Sequence, residues 1–424
     1  MTFQWVSERT RTVLVSALAA GLSVMPQAAL ATDGYFLNGM GAKAKGAGGV
    51  AIAMPEDAVA IAANPAAATA LGHRLDVGVE IFVPRRGAEI SGNGAGLNGT
   101  YSGNGANPFV LPELAYVRPL GDRVSVGIAI NGNGGMNTQY VTNPFASFGA
   151  TGPAGVNLRQ LFITPTVAFE FAEGQSLGVS PIILIQSFEM RGIQPFTANS
   201  AAPLAITNRG EDWRTGGGVR VGYLGQFGVL SVGGFYQTKV WAQRFKKYEG
   251  LFAGRGDFDV PASWGFGVAV QASDRLKLGA DFKRIEYSGV ASVGRPLAPL
   301  FAGNPFGSDA GPGFGWRDIS VVKLGASYQA SAPLTLRLGY GHSQNPVPAS
   351  ETFLNILAPG VVTSHYTGGA TLRLGQRSEL TGYVMHAPRQ TVRGAGSIPL
   401  PFGGGEADIH LSETAFGLSW GLTF

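Results

Sequence analysis

Gly174-Gln175-Ser176-Leu177-Gly178 carries the G-x-S-x-G spacing with which a hydrolase lifts a nucleophilic serine on a sharp turn between strand and helix. Here the motif sits on a tight turn at 172–175 that leads into another alternating apolar run. No helix follows, and the match reads as coincidence. The G-x-G-x-x-G match from Gly94 to Gly99 lies in a Gly/Asn-rich stretch, again with no helix behind it to receive a pyrophosphate. The five histidines, His73, His342, His365, His386 and His410, show no paired ligand spacing. His342 and His386 fall on strand-like runs as ordinary polar residues. With no cysteine in the chain, thiolate metal sites and disulfides are excluded. A barrel phospholipase, its serine and histidine scattered over strands, stays open as an enzyme class. Otherwise the expectation is a non-enzyme with no catalytic residue, metal or cofactor.

What remains is the apolar pattern, and it is clearest at the carboxy terminus. Phe416, Leu418, Trp420, Leu422 and Phe424 alternate with Gly417, Ser419, Gly421 and Thr423, a period-two strand with one apolar, aromatic-ended face. As a soluble edge such a strand invites aggregation. In an outer-membrane barrel the last strand closes on the first and its apolar face meets lipid. At the other end, Arg9 and Arg11 precede an apolar run from Thr12 to Val24 and then Ala29-Leu30-Ala31, the pattern of a secretory signal peptide over residues 1–31. That run is shorter than the roughly 20 residues a spanning helix needs. The chain has 424 residues, 45% hydrophobic and only 14% charged. Soluble domains average about 25% charged, so much of the surface does not face water. A net charge of +4 is too small and too scattered over this length to argue for nucleic acid, and no nucleic-acid partner is expected.

The same alternation recurs. Leu75, Val77, Val79, Ile81 and Val83 form one such row, Val124, Val126, Ile128 and Ile130 a second, and Trp264, Phe266, Val268 and Val270 a third. Leu276, Leu278 and Phe282 oppose Lys277, Asp281 and Lys283, so the other face must line a polar interior. Connections alternate in length. Short turns are expected at Pro119–Asp122, Ala172–Gln175, Leu224–Gln226, Ala272–Asp274, Ala330–Pro333 and Gly375–Arg377. Long Gly/Pro/Asn-rich loops fall at 87–108, 134–155, 191–211, 241–257, 289–314, 345–360 and 393–410. Six short turns and seven long loops make fourteen strands, an even number, with short turns on the periplasmic side and long loops outside. The fold expected is an all-β, fourteen-stranded antiparallel transmembrane barrel over 73–424 in a Gram-negative outer membrane.

Residues 32–72 do not alternate. They are rich in Gly and Ala and carry few charges. They offer a helix start at Pro55-Glu56-Asp57-Ala58 and a break at Asn64-Pro65. A fourteen-stranded barrel is too wide for its own side chains to fill, and this segment is expected to sit inside it as a small helical hatch.

The lead-in GMGAKAKGAGGVAIAMPEDA, the Asn64-Pro65-Ala66 motif and the runs LPELAYVRPLGDRVSVGIAI (111–130), PASWGFGVAVQASDRLKLGADFKRIEYSG (261–289) and VKLGASYQASAPLTLRLGYGHSQNPVP (322–348) carry a resemblance. Across nearly all of the chain after residue 31, the sequence resembles the FadL family of outer-membrane transporters for long-chain fatty acids, with its TodX-like aromatic-hydrocarbon relatives. The resemblance implies passive uptake of hydrophobic compounds through a hatch-closed barrel. Capture would fall to the loops holding Ile193, Phe196, Leu204, Ile206, Trp241, Phe245, Leu251 and Phe252. The hatch motif would be Asn64, Pro65 and Ala66. Lateral release through the wall would occur where the third strand kinks, at Asn131, Gly132, Gly134 and Gly135, glycine being tolerant of bulges. Expected partners are a hydrophobic small molecule, outer-membrane lipid, and the barrel assembly machinery through Phe416–Phe424. The alternatives are a general porin for polar solutes, favoured by charge rings and an open lumen, and a structural or adhesive surface barrel.

Overall fold

The computed structural model describes residues 33–424; the segment read as a signal peptide, 1–31, lies outside them. Fourteen strands form the wall: β1 (Arg74–Ser91), β2 (Phe109–Pro119), β3 (Val124–Tyr140), β4 (Ala154–Ala172), β5 (Gln175–Arg191), β6 (Asp212–Phe227), β7 (Leu230–Gln237), β8 (Ser263–Ser273), β9 (Leu276–Ile285), β10 (Ile319–Gln329), β11 (Leu334–Ser343), β12 (Ser364–Arg373), β13 (Ser378–Val392) and β14 (Glu406–Thr423). Each pairs antiparallel with its sequence neighbours. β14 pairs back onto β1 from Arg74↔Thr423 to Ser91↔Glu406, which closes the barrel without an edge. Two short strand pieces, Gly99–Ser102 and Trp241–Ala242, belong to the loops.

Fourteen strands with alternating short turns and long loops agree with the count read from the sequence. One turn is displaced. Instead of turning at Leu224–Gln226, β6 runs on to Phe227, because the Gln226 N–H bonds the Gly174 carbonyl of the next turn at 2.7 Å. The chain reverses at Gly228, whose φ of 61° is the left-handed geometry a tight turn demands.

The wall inverts the usual order of inside and outside. Val77, Val79 and Ile81 on β1 and Phe416, Leu418 and Trp420 on β14 face outward and touch no protein core. Arg74, Asp76, Glu80, Glu113, Asp281, Lys323, Arg337 and Glu413 point inward and are buried. Lipid accepts the first set, and charges on the second must be paired within the protein.

Much of the pairing comes from residues 33–72. A short α-helix, Ala42–Gly46, sets Lys43 beside Glu379 (2.6 Å) and Lys45 between Glu80 (2.8 Å) and Glu113 (3.3 Å). Glu56 takes Arg337 at 2.7 Å. The Ala51 and Ile52 N–H groups donate to Asp281, and the Gly48 N–H to Thr367. These partners lie on β1, β2, β9, β11, β12 and β13, spread around the ring. The helix read from Pro55 begins later, as a 3-10 turn over Ala58–Ala62. Glu56 is held by Arg337, and the Asp57 carboxylate accepts the Lys43 N–H at 3.1 Å instead of capping its own turn.

Asp57 is the odd charge in this network. It is buried beside Asp76 and Glu113, and Arg74 and Lys43 compensate only in part. Burial first, then the two carboxylates, push its pKa up to about 7. A carboxyl whose docked pKa exceeds its free value holds a proton that undocking would release. Docking is therefore strongest below the free value of 3.8 and weakens as pH rises toward 7. Residues 33–72 should be better protected from hydrogen exchange at about pH 6 than at about pH 8, one unit either side of the shifted pKa. Asp57→Asn should reduce the difference. Equal protection at both pH values in the unmodified protein would refute this account of the network.

Candidate functional site

On the extracellular side, five long loops fold over the barrel mouth and enclose an apolar pocket with about 490 Å³ of space between its atoms, part of it open to the outside. The loop after β5 contributes Ile193, Phe196 and Ile206, which its 3-10 turns at Gln194–Asn199 and Pro203–Ala205 fold inward. The loop after β7 contributes Leu251 and Phe252. Phe145, Met190, Phe306, Phe314, Leu354 and Leu357 complete the apolar wall. The one hydroxyl there, that of Ser292, is turned away to the Asp257 carbonyl. Walls this apolar suit small hydrophobic ligands.

Five of the eight expected capture residues line this pocket. Phe245 stands one layer behind, fully buried, with its ring 5.5 Å from Phe188 and 6.2 Å from Phe252. Leu204 and Trp241 are 86% and 57% exposed and take no part in the pocket wall. Sequence reasoning missed the contributions of the loops after β3, β9 and β11. Phe145, Phe306, Phe314 and Leu354 are large apolar residues in Gly/Pro-rich loops, a signal that applied equally to every long loop. The wall is braced by Asn355, which accepts the Trp316 indole N–H at 2.6 Å and donates to the Phe314 and Glu351 carbonyls.

A chain of rings leads inward from the pocket. Phe252 lies 4.8 Å from Phe258, Phe258 lies 6.3 Å from Tyr35, and Tyr35 stacks on Phe36 at 5.2 Å. Tyr287 anchors this end, accepting the Tyr35 N–H at 3.2 Å and donating to the Asp33 carbonyl. Beyond Phe36, whose ring carries the Lys283 ammonium at 4.8 Å, lies a second cavity, with about 500 Å³ of space between its atoms, part of it open. Its apolar lining includes Leu37, Met40, Ile52 and Phe235, and its charges are Arg220, Asp281, Lys283 and Lys323. Asp281 is occupied by backbone N–H groups, and Lys323 is shared between Asp33 (3.1 Å) and the Asn38 carbonyl. The cavity is therefore amphipathic with an excess of cations.

The third strand does leave the wall. β2 and β3 pair only from Leu114↔Ile130 to Pro119↔Ser125. At Asn131 β3 turns away from β2, and its ladder with β4 slips between Gly132 and Gly134. The freed edge pairs with residues 35–37: the Gly135 N–H donates to the Tyr35 carbonyl (3.0 Å) and the Leu37 N–H to the Asn133 carbonyl (3.2 Å). Only glycine fits at 134, where a Cβ would lie 2.0 Å from the Tyr35 oxygen. Asn131 bonds the Gly132 carbonyl and the Met40 sulfur. Buried Arg86 spans the parted region, bonding Pro84, Ala106 and Asn107 on one side and Asn137 on the other.

Asn64, Pro65 and Ala66 form an anchor. The Asn64 side chain accepts the Ala66 N–H and donates to the Ile52 and Tyr223 carbonyls at 2.8 and 2.9 Å. Pro65 begins a 3-10 turn, Pro65–Ala70, that packs on β5 at Gly178, where a Cβ would lie 2.3 Å from the Pro65 carbonyl carbon. Thr69 donates to the Ser176 hydroxyl at 2.8 Å, so the serine of the G-x-S-x-G match is a wall contact of this turn.

The model of the family described as outer membrane protein transport protein (OMPP1/FadL/TodX) matches residues 21–219 and 231–381. The fold is similar to that of the Pseudomonas putida toluene transporter TodX, at 18% identity and a TM-score of 0.67 over 91% of this chain and 99% of that one. A Pseudomonas aeruginosa FadL homologue is 17% identical with a TM-score of 0.69, covering 92% of this chain and all of its own. The Ralstonia pickettii toluene transporter TbuX is 20% identical with a TM-score of 0.64, covering 91% and 99%. Among curated proteins no sequence match is found.

Burying a large apolar side chain against a ligand contributes roughly 1.5–3 kcal/mol, so Phe252→Asp or Phe196→Asp should weaken binding of an aromatic hydrocarbon by about tenfold or more. Leu204→Asp and Trp241→Asp, outside the pocket, should leave it unchanged. Equal effects from both pairs, read by fluorescence titration of a naphthalene probe, would place capture elsewhere.

Proposed function

Since this chain belongs to the outer-membrane transport family of OMPP1, FadL and TodX, we propose that it admits hydrophobic compounds passively and releases them sideways through its wall. Small aromatic hydrocarbons fit the reading best. The observation that carries it is the apolar pocket above the barrel, joined by a file of aromatic rings to a cavity within it. An apolar solute gains nothing from a water-filled pore, and successive weak apolar sites let it advance without being trapped. Two of the solved structures of similar fold are described as toluene transporters. Residues 32–72 act in this reading as the hatch, held by Asn64, Pro65 and Ala66, that keeps water and ions out. The way out is the parted region between β2 and β3 at Asn131, Gly132, Gly134 and Gly135, where side chains and residues 35–37 replace the ladder. Phe416–Phe424 would guide assembly by the outer-membrane barrel machinery.

A second substrate class is favoured by the three cations of the inner cavity, Arg220, Lys283 and Lys323: a long-chain fatty acid, with its carboxylate among them and its tail along the rings. Lys283→Gln separates the two. It should weaken fatty-acid binding and spare toluene if fatty acids are carried.

The test of the function itself joins two measurements. Cells bearing the protein should take up labelled toluene at limiting concentration faster than cells without it. The purified protein should show little ion conductance in planar bilayers, rising clearly when residues 33–72 are deleted. Large conductance from the intact protein with no hydrocarbon uptake would establish the porin alternative.

A further inference from the structure

A second break in the wall, between β4 and β5, has no counterpart in the reading above. The ladder runs down to Ile163↔Ile183, stops, and resumes at Val167↔Val179 in unchanged register. Pro165 therefore lies directly opposite Pro181. Proline has no N–H to give to a ladder and is normally kept to edges or bulges. Two facing prolines remove both donors of one rung in a membrane wall, where no water replaces them. The inner side of the break is closed by side chains: the Thr166 and Ser180 hydroxyls bond each other at 2.7 Å, and Thr164 and Thr166 turn back to backbone carbonyls.

Open space lies one strand away from this seam on the inside and one rung away on the outside. Inside, Arg220, the ladder partner of Ser180, lines the inner cavity together with Ala62, Ala63 and Phe235. Outside, a groove of about 930 Å³ begins at the first rung below the break, lined by Val167, Phe169, Leu177, Val179, Val221 and Tyr236. Phe235 borders both spaces. Between them the wall is thin, because Gly178 and Gly222 carry no side chain and rest directly on Pro65 and Asn64.

We propose that this proline seam is a second lateral passage, and that the outer groove receives the transported apolar molecule as it leaves the inner cavity for the membrane. The occupant follows from the surroundings. The groove's lining is apolar, its inner neighbour is the cavity at the end of the ring file, and Phe235 borders both. Opening the seam costs a single hydroxyl pair, whereas opening an intact rung would strand backbone groups in lipid. The inference rests on the lumen carrying apolar substrate, as proposed above.

The chain has no native cysteine, which makes a crosslink clean to read. Thr166→Cys with Ser180→Cys places two thiols on directly opposed residues, within disulfide reach. Toluene uptake should drop when this pair is oxidised and return on reduction. A control pair in an unbroken ladder, Leu372→Cys with Leu380→Cys on β12 and β13, should show no such change. A second variant, Pro165→Val with Pro181→Val, restores the missing donors. It should slow uptake without any crosslink and raise hydrogen-exchange protection over 164–166 and 180–182. An unchanged rate in the oxidised seam pair, or an equal loss in the control pair, overturns the passage. Failure of the unmodified protein to carry toluene at all would instead refute the function on which the passage rests.

Discussion

A strand in a bilayer has no water to fall back on, so each N–H and C=O of the wall must find its partner inside the protein. That constraint organises the whole molecule. It forces closure of β14 onto β1, and it confines irregular backbone to the interior and the loops. It also makes any departure from the ladder informative, because each departure needs a replacement. Where β3 leaves β2, the replacement is the backbone of residues 35–37 and the guanidinium of Arg86. Where Pro165 faces Pro181, neither proline has an N–H to place, and a hydroxyl pair bridges the two strands beside them. The first is a braced gap and the second a light seam. They differ in what must be broken before anything can pass.

The interior obeys a related rule. Charges that lipid would refuse are turned inward, and there they fix residues 33–72 through ion pairs reaching several strands. Buried pairs of this kind add little net stability, yet removing one partner is costly. Their effect is to specify position. The amino-terminal segment is held in one place, with Tyr35 and Phe36 at the end of the ring file and Asn64 and Pro65 against the thin wall. In the proposed reading, capture, passage and closure thereby share one short piece of chain.

Much of this was legible in the sequence, for physical reasons. Period-two alternation with charges on one face only is the mark of a strand between lipid and a polar lumen, and it located the fourteen strands. The β6 turn falls at Gly228 and not at Leu224–Gln226, because a single glycine in a run does not say which residue of it will take the left-handed geometry. Loops gave weaker signals. An apolar side chain in a loop does not reveal which way its turn will face, so Leu204 and Trp241 point outward while Phe306 and Phe314 line the pocket. The kink at Asn131–Gly135 was visible as a broken alternation. The facing prolines were not, because Pro165 and Pro181 each keep the outward parity of their strands. Only the register, a long-range fact, sets them opposite each other.

The central claim is that an apolar molecule occupies, in turn, the loop pocket and the inner cavity. Anomalous diffraction from crystals soaked in bromobenzene tests it most directly. The account predicts bromine peaks beside Phe196 and Phe252, and again between Phe36 and Phe235. Bromine confined to the outer, lipid-facing surface, with neither interior space occupied, would contradict it.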